Sequence, residues 1–187
     1  MAAIVESIRA EFARYRGLAE AAIAQLTDAD VVADAGEASN SIATICWHVS
    51  GNLRSRFTEF LTTDGEKPWR KRDEEFEPRA VTRDELVAHL GAGWSVLEAT
   101  LAALTDEDLH KAITIRQQPM PVHEALHRSL AHTAYHVGQI VFIAKARRGA
   151  SWKSLSIPPG QSDVYNRNPQ QEHGTAHAAK LSGTRQA

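Results

Sequence analysis

Along four stretches of the chain, apolar residues return every three or four positions, the period of a helix with one buried face. The first stretch, residues 3–26, carries Ile4, Ile8, Phe12, Tyr15, Ala19, Ala22, Ile23 and Leu26. The second, residues 41–62, carries Ile42, Ile45, Val49, Leu53, Phe57 and Phe60, with Ser39, Asn40 or Ser41 available as its N-cap. The third opens at Thr82 with TRDE, a capping box in which Glu85 reaches back to the Thr82 amide. It runs to about residue 104 through Leu86, Leu90, Trp94, Leu97 and Leu101. The fourth begins near Pro121, a favoured first-turn residue, and continues through Leu126, Leu130, Val137, Ile140, Val141 and Ala144 to about Arg148, where Gly149 stops it.

The intervening segments lack that period. A polar link, TTDGEKPWRKRDEEFEPRAV, joins the second and third helices and is too long for a tight turn. Residues 113–121, ITIRQQPMP, alternate enough to form a short extended piece or a hairpin. After Gly149 the Ser-, Pro- and Gly-rich SWKSLSIPPGQSDVYN reads as a loop laid over the domain. Its Trp152 and Leu155 make it too apolar for a free linker, so it is a lid or a structural strap. From residue 167 onward the chain is polar and expected to be disordered, leaving residues 1–166 as the folded domain. Four amphipathic helices with little strand signal predict an all-α fold, a four-helix bundle.

Composition narrows the function classes. With 187 residues, 43% hydrophobic and 24% charged, the chain has the content of one soluble domain. Its formal net charge of −2, with Lys and Arg scattered among acids, argues against nucleic acid as a partner. No run of about 18 uninterrupted apolar residues marks a membrane span. The opening MAAIVESIRAEFARY places charges where a signal peptide has its apolar core. The single cysteine, Cys46, excludes an intramolecular disulfide and fits a reducing compartment, so the expected location is cytoplasmic.

The candidate chemistry lies in LAHTAYHVGQIVFIAKA, where His132 and His136 stand four apart, one above the other on a helix. They project from the edge of the apolar stripe, roughly 80–120° from Leu126, where a helix faces a groove shared with a neighbour. On the second helix, His48 lies at a matching offset from its own stripe. If the two edges face each other, three imidazoles converge and leave open coordination positions, as in a catalytic metal site. Spacing alone does not select this pair, because His123 and His127, and His173 and His177, repeat it. Asn52 and Gln139 are candidates to orient ligands, and Glu59 is a weaker candidate for a general base. Arg56, inside an apolar stripe, needs a partner, and Asp73, Glu74 or Glu75 is the expected one. Cys46, roughly 200° around the helix from His48, reads as a core thiol.

The stretches ICWHVSGNLRSRFTEFLTTDGEKPWRKRDEEF, HRSLAHTAYHVGQIVFIAKA and SWKSLSIPPGQS together resemble the DinB/YfiT-like superfamily of metalloenzymes, within it a branch described only as a domain of unknown function. The resemblance covers roughly residues 1–166. It implies a four-helix bundle of variant up-and-down topology with a divalent metal, zinc or nickel, on His48, His132 and His136. It further implies a small-molecule substrate, a low-molecular-weight thiol cosubstrate, thiol S-transferase or hydrolase activity, and a homodimer. Two alternatives stand beside the enzyme: a non-catalytic metal-binding or stress-associated dimeric bundle, and a metal-free dimerisation module using Trp47 and Phe142 as its partner surface.

Overall fold

The computed structural model describes residues 4–167. It is mostly helical, with six α-helices among these residues and one two-stranded antiparallel sheet. The elements are α1 (Ile4–Ile23), α2 (Asp28–Val32), α3 (Ile42–Phe57), α4 (Arg83–Ala103), β1 (Ala112–Ile115), β2 (Gln118–Pro121), α5 (Val122–Arg148) and α6 (Ser162–Arg167). The four long helices match the four periodic stretches. Helix α1 packs on α4 and α5, and α3 packs on the same two. Between them lie Phe12, Ile42, Leu53, Phe57, Leu86, Trp94, Leu126 and Ile140, all essentially without exposure.

Local chemistry sets the ends of these helices. Ser41 caps α3 by accepting from Thr44 N, and Thr82 with Glu85 forms the expected capping box on α4. Asp106, from beyond α4, accepts from the Ile4 and Val5 amides and so caps α1. Helix α5 stops at Gly149, whose φ of 51° is conformationally easy only for glycine. Helix α3 ends at Phe57 rather than near residue 62, because Thr58 is extended and Glu59 takes a φ of 50°. Phe60 nonetheless folds back against Phe57, their ring centroids 5.1 Å apart. Helix α1 stops at Ile23, and Thr27 with Asp30 forms a second capping box that starts the short α2, which periodicity did not predict.

Helix α4 is long and apolar enough to cross a membrane by length and composition. Its buried stripe, Leu86, Leu90, Trp94, Leu97 and Leu101, packs in the core. Gly93 lets α3 come close: a Cβ there would stand 2.8 Å from the Ser50 Cα.

The polar link is folded onto the molecule. The β1–β2 turn holds Arg116 and Gln117 at positive φ without a glycine, and Asp64 compensates by accepting both their amides, at 2.8 and 2.7 Å. The Glu66 amide, which also donates to Asp64 at 2.7 Å, together with these two bonds holds the Asp64 carboxyl down at about 2. Gly65 N donates to Thr114 O at 2.8 Å, which ties the link to the hairpin a second time. A 3₁₀ turn, Asp73–Phe76, then brings Glu75 back against α3.

The segment after Gly149 is a strap. Lys153 N donates to Gln25 Oε1 and Lys153 O accepts from Gln25 Nε2, while Trp152 and Leu155 pack against the core. It continues into α6, where the sequence pattern predicted only loop. Apart from Arg167, the expected tail, with His173 and His177, lies outside the described residues.

Candidate metal centre

Helix α3 presents His48 from its buried face, and α5 presents His132 and His136 one turn apart. The sequence edges do meet: each of the three residues offers a ligand atom, and these atoms all lie within 4.8 Å of one another. Among the described residues they are the one group of three or more His, Cys, Asp or Glu side chains so placed. His48 Nε2 and His132 Nε2 are 3.2 Å apart. Two imidazole nitrogens ligating one zinc-sized ion at about 2.0–2.1 Å in tetrahedral geometry stand about 3.3–3.4 Å apart, so the spacing suits a shared ion.

The ring orientations fit the same purpose. His48 Nδ1 lies 2.9 Å from Glu75 Oε2. A carboxylate can only accept, so Nδ1 carries a proton there and Nε2 is the ring atom turned toward His132. His136 Nδ1 donates to Gln139 Oε1 at 2.8 Å, which frees its Nε2 in the same way. Gln139 is itself fixed by donating to Tyr135 Oη. Burial, reinforced by His136 and His48, pushes the His132 imidazole down to about 4. Burial likewise lowers His136. Neutral imidazoles are the form that ligates, and three of them could hold a metal ion.

Glu75 is the functional residue that sequence reasoning did not single out. It was one of three acids offered to Arg56, yet it bonds Arg70 through both oxygens, at 2.8 and 2.9 Å, as well as His48. Its burial works against ionisation, but the bonds from Arg70 and His48 outweigh that, and the carboxyl is held below its ordinary value. Gly51, one turn beyond His48, makes the space, since a Cβ there would stand 2.1 Å from Glu75 Oε1. The available signal was the long link itself, whose acids lie close in sequence to α3. Their direction depended on a 3₁₀ turn that no periodicity announces.

The partner expected for Arg56 is corrected, and the other candidate residues find their places. Arg56 pairs with Glu66 at 3.3 Å and donates to Gly65 O, not with Asp73, Glu74 or Glu75, because the link reaches the arginine before the 3₁₀ turn. Glu59 stands exposed just past the end of α3, bonded to Thr63, and does not line the cavity beside the histidines. Trp47 is half-buried and stacks on His89 at 3.8 Å with the Arg79 guanidinium over its ring. Phe142 is 75% exposed. Cys46 is fully buried, and burial pushes its thiol up, as expected of a core residue. His123 and His127 do not join a metal group.

Beside the histidines lies a cavity of about 190 Å³, lined by His48, His132 and Asn52 among others, so the site opens onto space that a small molecule can enter.

A family model described as a protein of unknown function, DUF1572, matches residues 2–161, and the chain belongs to that family. No curated protein and no solved structure matches it.

Proposed function

We propose that this DUF1572 chain is a divalent-metal protein in which His48, His132 and His136 ligate the ion, and that it works as a metal-dependent enzyme on a small molecule. The observation that carries the reading is the pair of orienting bonds, Glu75 to His48 and Gln139 to His136, which direct two Nε2 atoms to the place His132 Nε2 also approaches. Core histidines need a satisfied ring; they do not need their remaining lone pairs gathered.

Imidazole donors suit zinc and nickel. Three protein ligands leave coordination positions free for substrate, the pattern of catalytic rather than closed structural sites. When bound, the ion supplies a positive charge that stabilises an anionic oxygen or sulfur of the substrate. The chain's own part is to favour the neutral form of His132 and His136 by burial and to hold the rings correctly turned, with Glu75 anchored by Arg70 so that His48 cannot rotate away. In our reading the four long helices form a DinB-like four-helix bundle of variant up-and-down topology. On that likeness the reaction is a low-molecular-weight-thiol S-transfer or a hydrolysis, in a cytoplasmic homodimer that exposes Phe142 and Tyr135 to its partner.

Elemental analysis of tag-free protein tests the metal. Near-stoichiometric zinc or nickel that disappears in His48→Ala is the expected result. No metal in the parent, even after incubation with either ion, overturns the reading.

A further inference from the structure

The cavity beside the histidines is asymmetric. Phe57, Phe60 and Ile115 give it an apolar wall, while arginines make up most of its polar lining and no carboxylate lines it among the described residues. The charges do not cancel. Arg70 is matched by Glu75, and Arg72 faces the exposed Asp73 at 3.6 Å. Arg56 and Arg116, however, share the single carboxylate of Glu66, which leaves one positive charge over. The exposed side chain of Arg128, on α5 and lining the same cavity, makes no ion pair or hydrogen bond with any described residue and adds a second.

A second observation points to a ligand. Ser129, also lining the cavity, is 8% exposed, and its Oγ is buried without a hydrogen-bond partner. A buried hydroxyl left unpaired is costly, and a ligand oxygen would satisfy it. A guanidinium fork matches the two oxygens of a carboxylate. The volume corresponds to roughly six waters at about 30 Å³ each, enough space for a short-chain acid.

We propose that this cavity takes a small carboxylate-bearing substrate, with its carboxylate on Arg128 and Ser129, its apolar body against Phe57, Phe60 and Ile115, and its remaining end toward His48 and His132. The assignment rests on the reading of the histidines as a metal centre only for what happens to that remaining end; the carboxylate grip itself belongs to the arginines.

Calorimetric titration of the full tag-free chain, metal-loaded and metal-stripped, with hexanoate and with its neutral analogue hexanamide tests the grip. The expected result is hexanoate binding in both forms, hexanamide at least tenfold weaker, and a roughly tenfold loss of hexanoate affinity in Arg128→Gln. Arg147→Gln, which removes the same charge farther along α5, should leave affinity unchanged. Equal binding of the two probes, no hexanoate binding, or equal weakening by both substitutions overturns the proposal. So does hexanoate binding that vanishes on metal stripping and ignores Arg128, a result that leaves the metal reading intact. Arg128-dependent binding in a chain that takes up no metal has the opposite meaning: the carboxylate site stands and the metal reading falls.

Discussion

Helix α5 carries the same two-histidine spacing twice, and the two pairs have different surroundings. His132 and His136 stand with ring centroids 4.5 Å apart and a third imidazole 5.2 and 4.9 Å away on α3. His123 and His127, nine residues earlier, stand 6.4 Å apart. There His123 Nδ1 donates to Leu109 O, His110 is 5.9 Å from it, and His127 is exposed. Both pairs obey the same helical geometry. What separates them is the element across the groove: a second 3₁₀ turn, Asp106–His110, with a backbone carbonyl in one case, a helix with a histidine held by Glu75 in the other. A carbonyl satisfies one ring and ends the matter; an oriented imidazole adds a ligand.

The largest effect that would break this comparison is in metal content. His48→Ala should remove essentially all bound zinc or nickel from the tag-free protein, while His127→Ala should leave the stoichiometry at its parental value, both read by elemental analysis. Loss of metal in His127→Ala instead would make the two pairs equivalent and move the centre.

Next comes stability at the support of the first pair. Arg70→Ala leaves the buried Glu75 carboxylate with one partner fewer, and removing one member of a buried pair costs about 3–5 kcal/mol. Chemical denaturation of the metal-stripped chain should show that loss. A change below about 1 kcal/mol would mean that water takes over the role of Arg70.

A smaller effect separates orientation from packing. Glu75→Gln keeps the size of the side chain but weakens its hold on His48, and should lower metal affinity roughly 10–100-fold with the fold intact. Gly51→Ala should do the same by displacing the carboxylate, although alanine is the better helix former by about 1 kcal/mol. If Gly51→Ala left affinity unchanged in competition with a chelator, Glu75 would not be what positions His48.

The smallest effect concerns the hairpin that borders the cavity. Asp64 titrates at about 2 when folded, below its ordinary 3.8. A depressed carboxylate contributes stability that is fully present above pH 3.8 and is lost as pH falls toward 2. Asp108 titrates in the same window, so the informative quantity is the difference between parent and Asp64→Asn. The variant should show a shallower loss of stability between pH 4 and 2. Identical acid profiles would show that the Arg116 and Gln117 amides do not depend on this charge.

Much of this molecule is legible in one dimension. Period, caps and stops located the four long helices and the capping box at Thr82, because each depends on contacts within about four residues along the chain, while alternation left residues 113–121 as an extended piece or a hairpin. The same reasoning placed His48, His132 and His136 on helix edges, since a rotation of about 100° per residue is a local property. It could not place Glu75 on His48, Glu66 on Arg56, or Asp64 on the hairpin turn. Those meetings depend on the path of a link without period, set by a left-handed Glu59, a 3₁₀ turn and the space at Gly51. The sequence by itself determined which side chains were available and on which helix face they stood. The stripe-edge position of His132 and His136 and the matching offset of His48 already favoured that pair; only the tertiary structure brought the two edges face to face, because that depends on what packs across the groove, and nothing in the spacing of a helix specifies its neighbour.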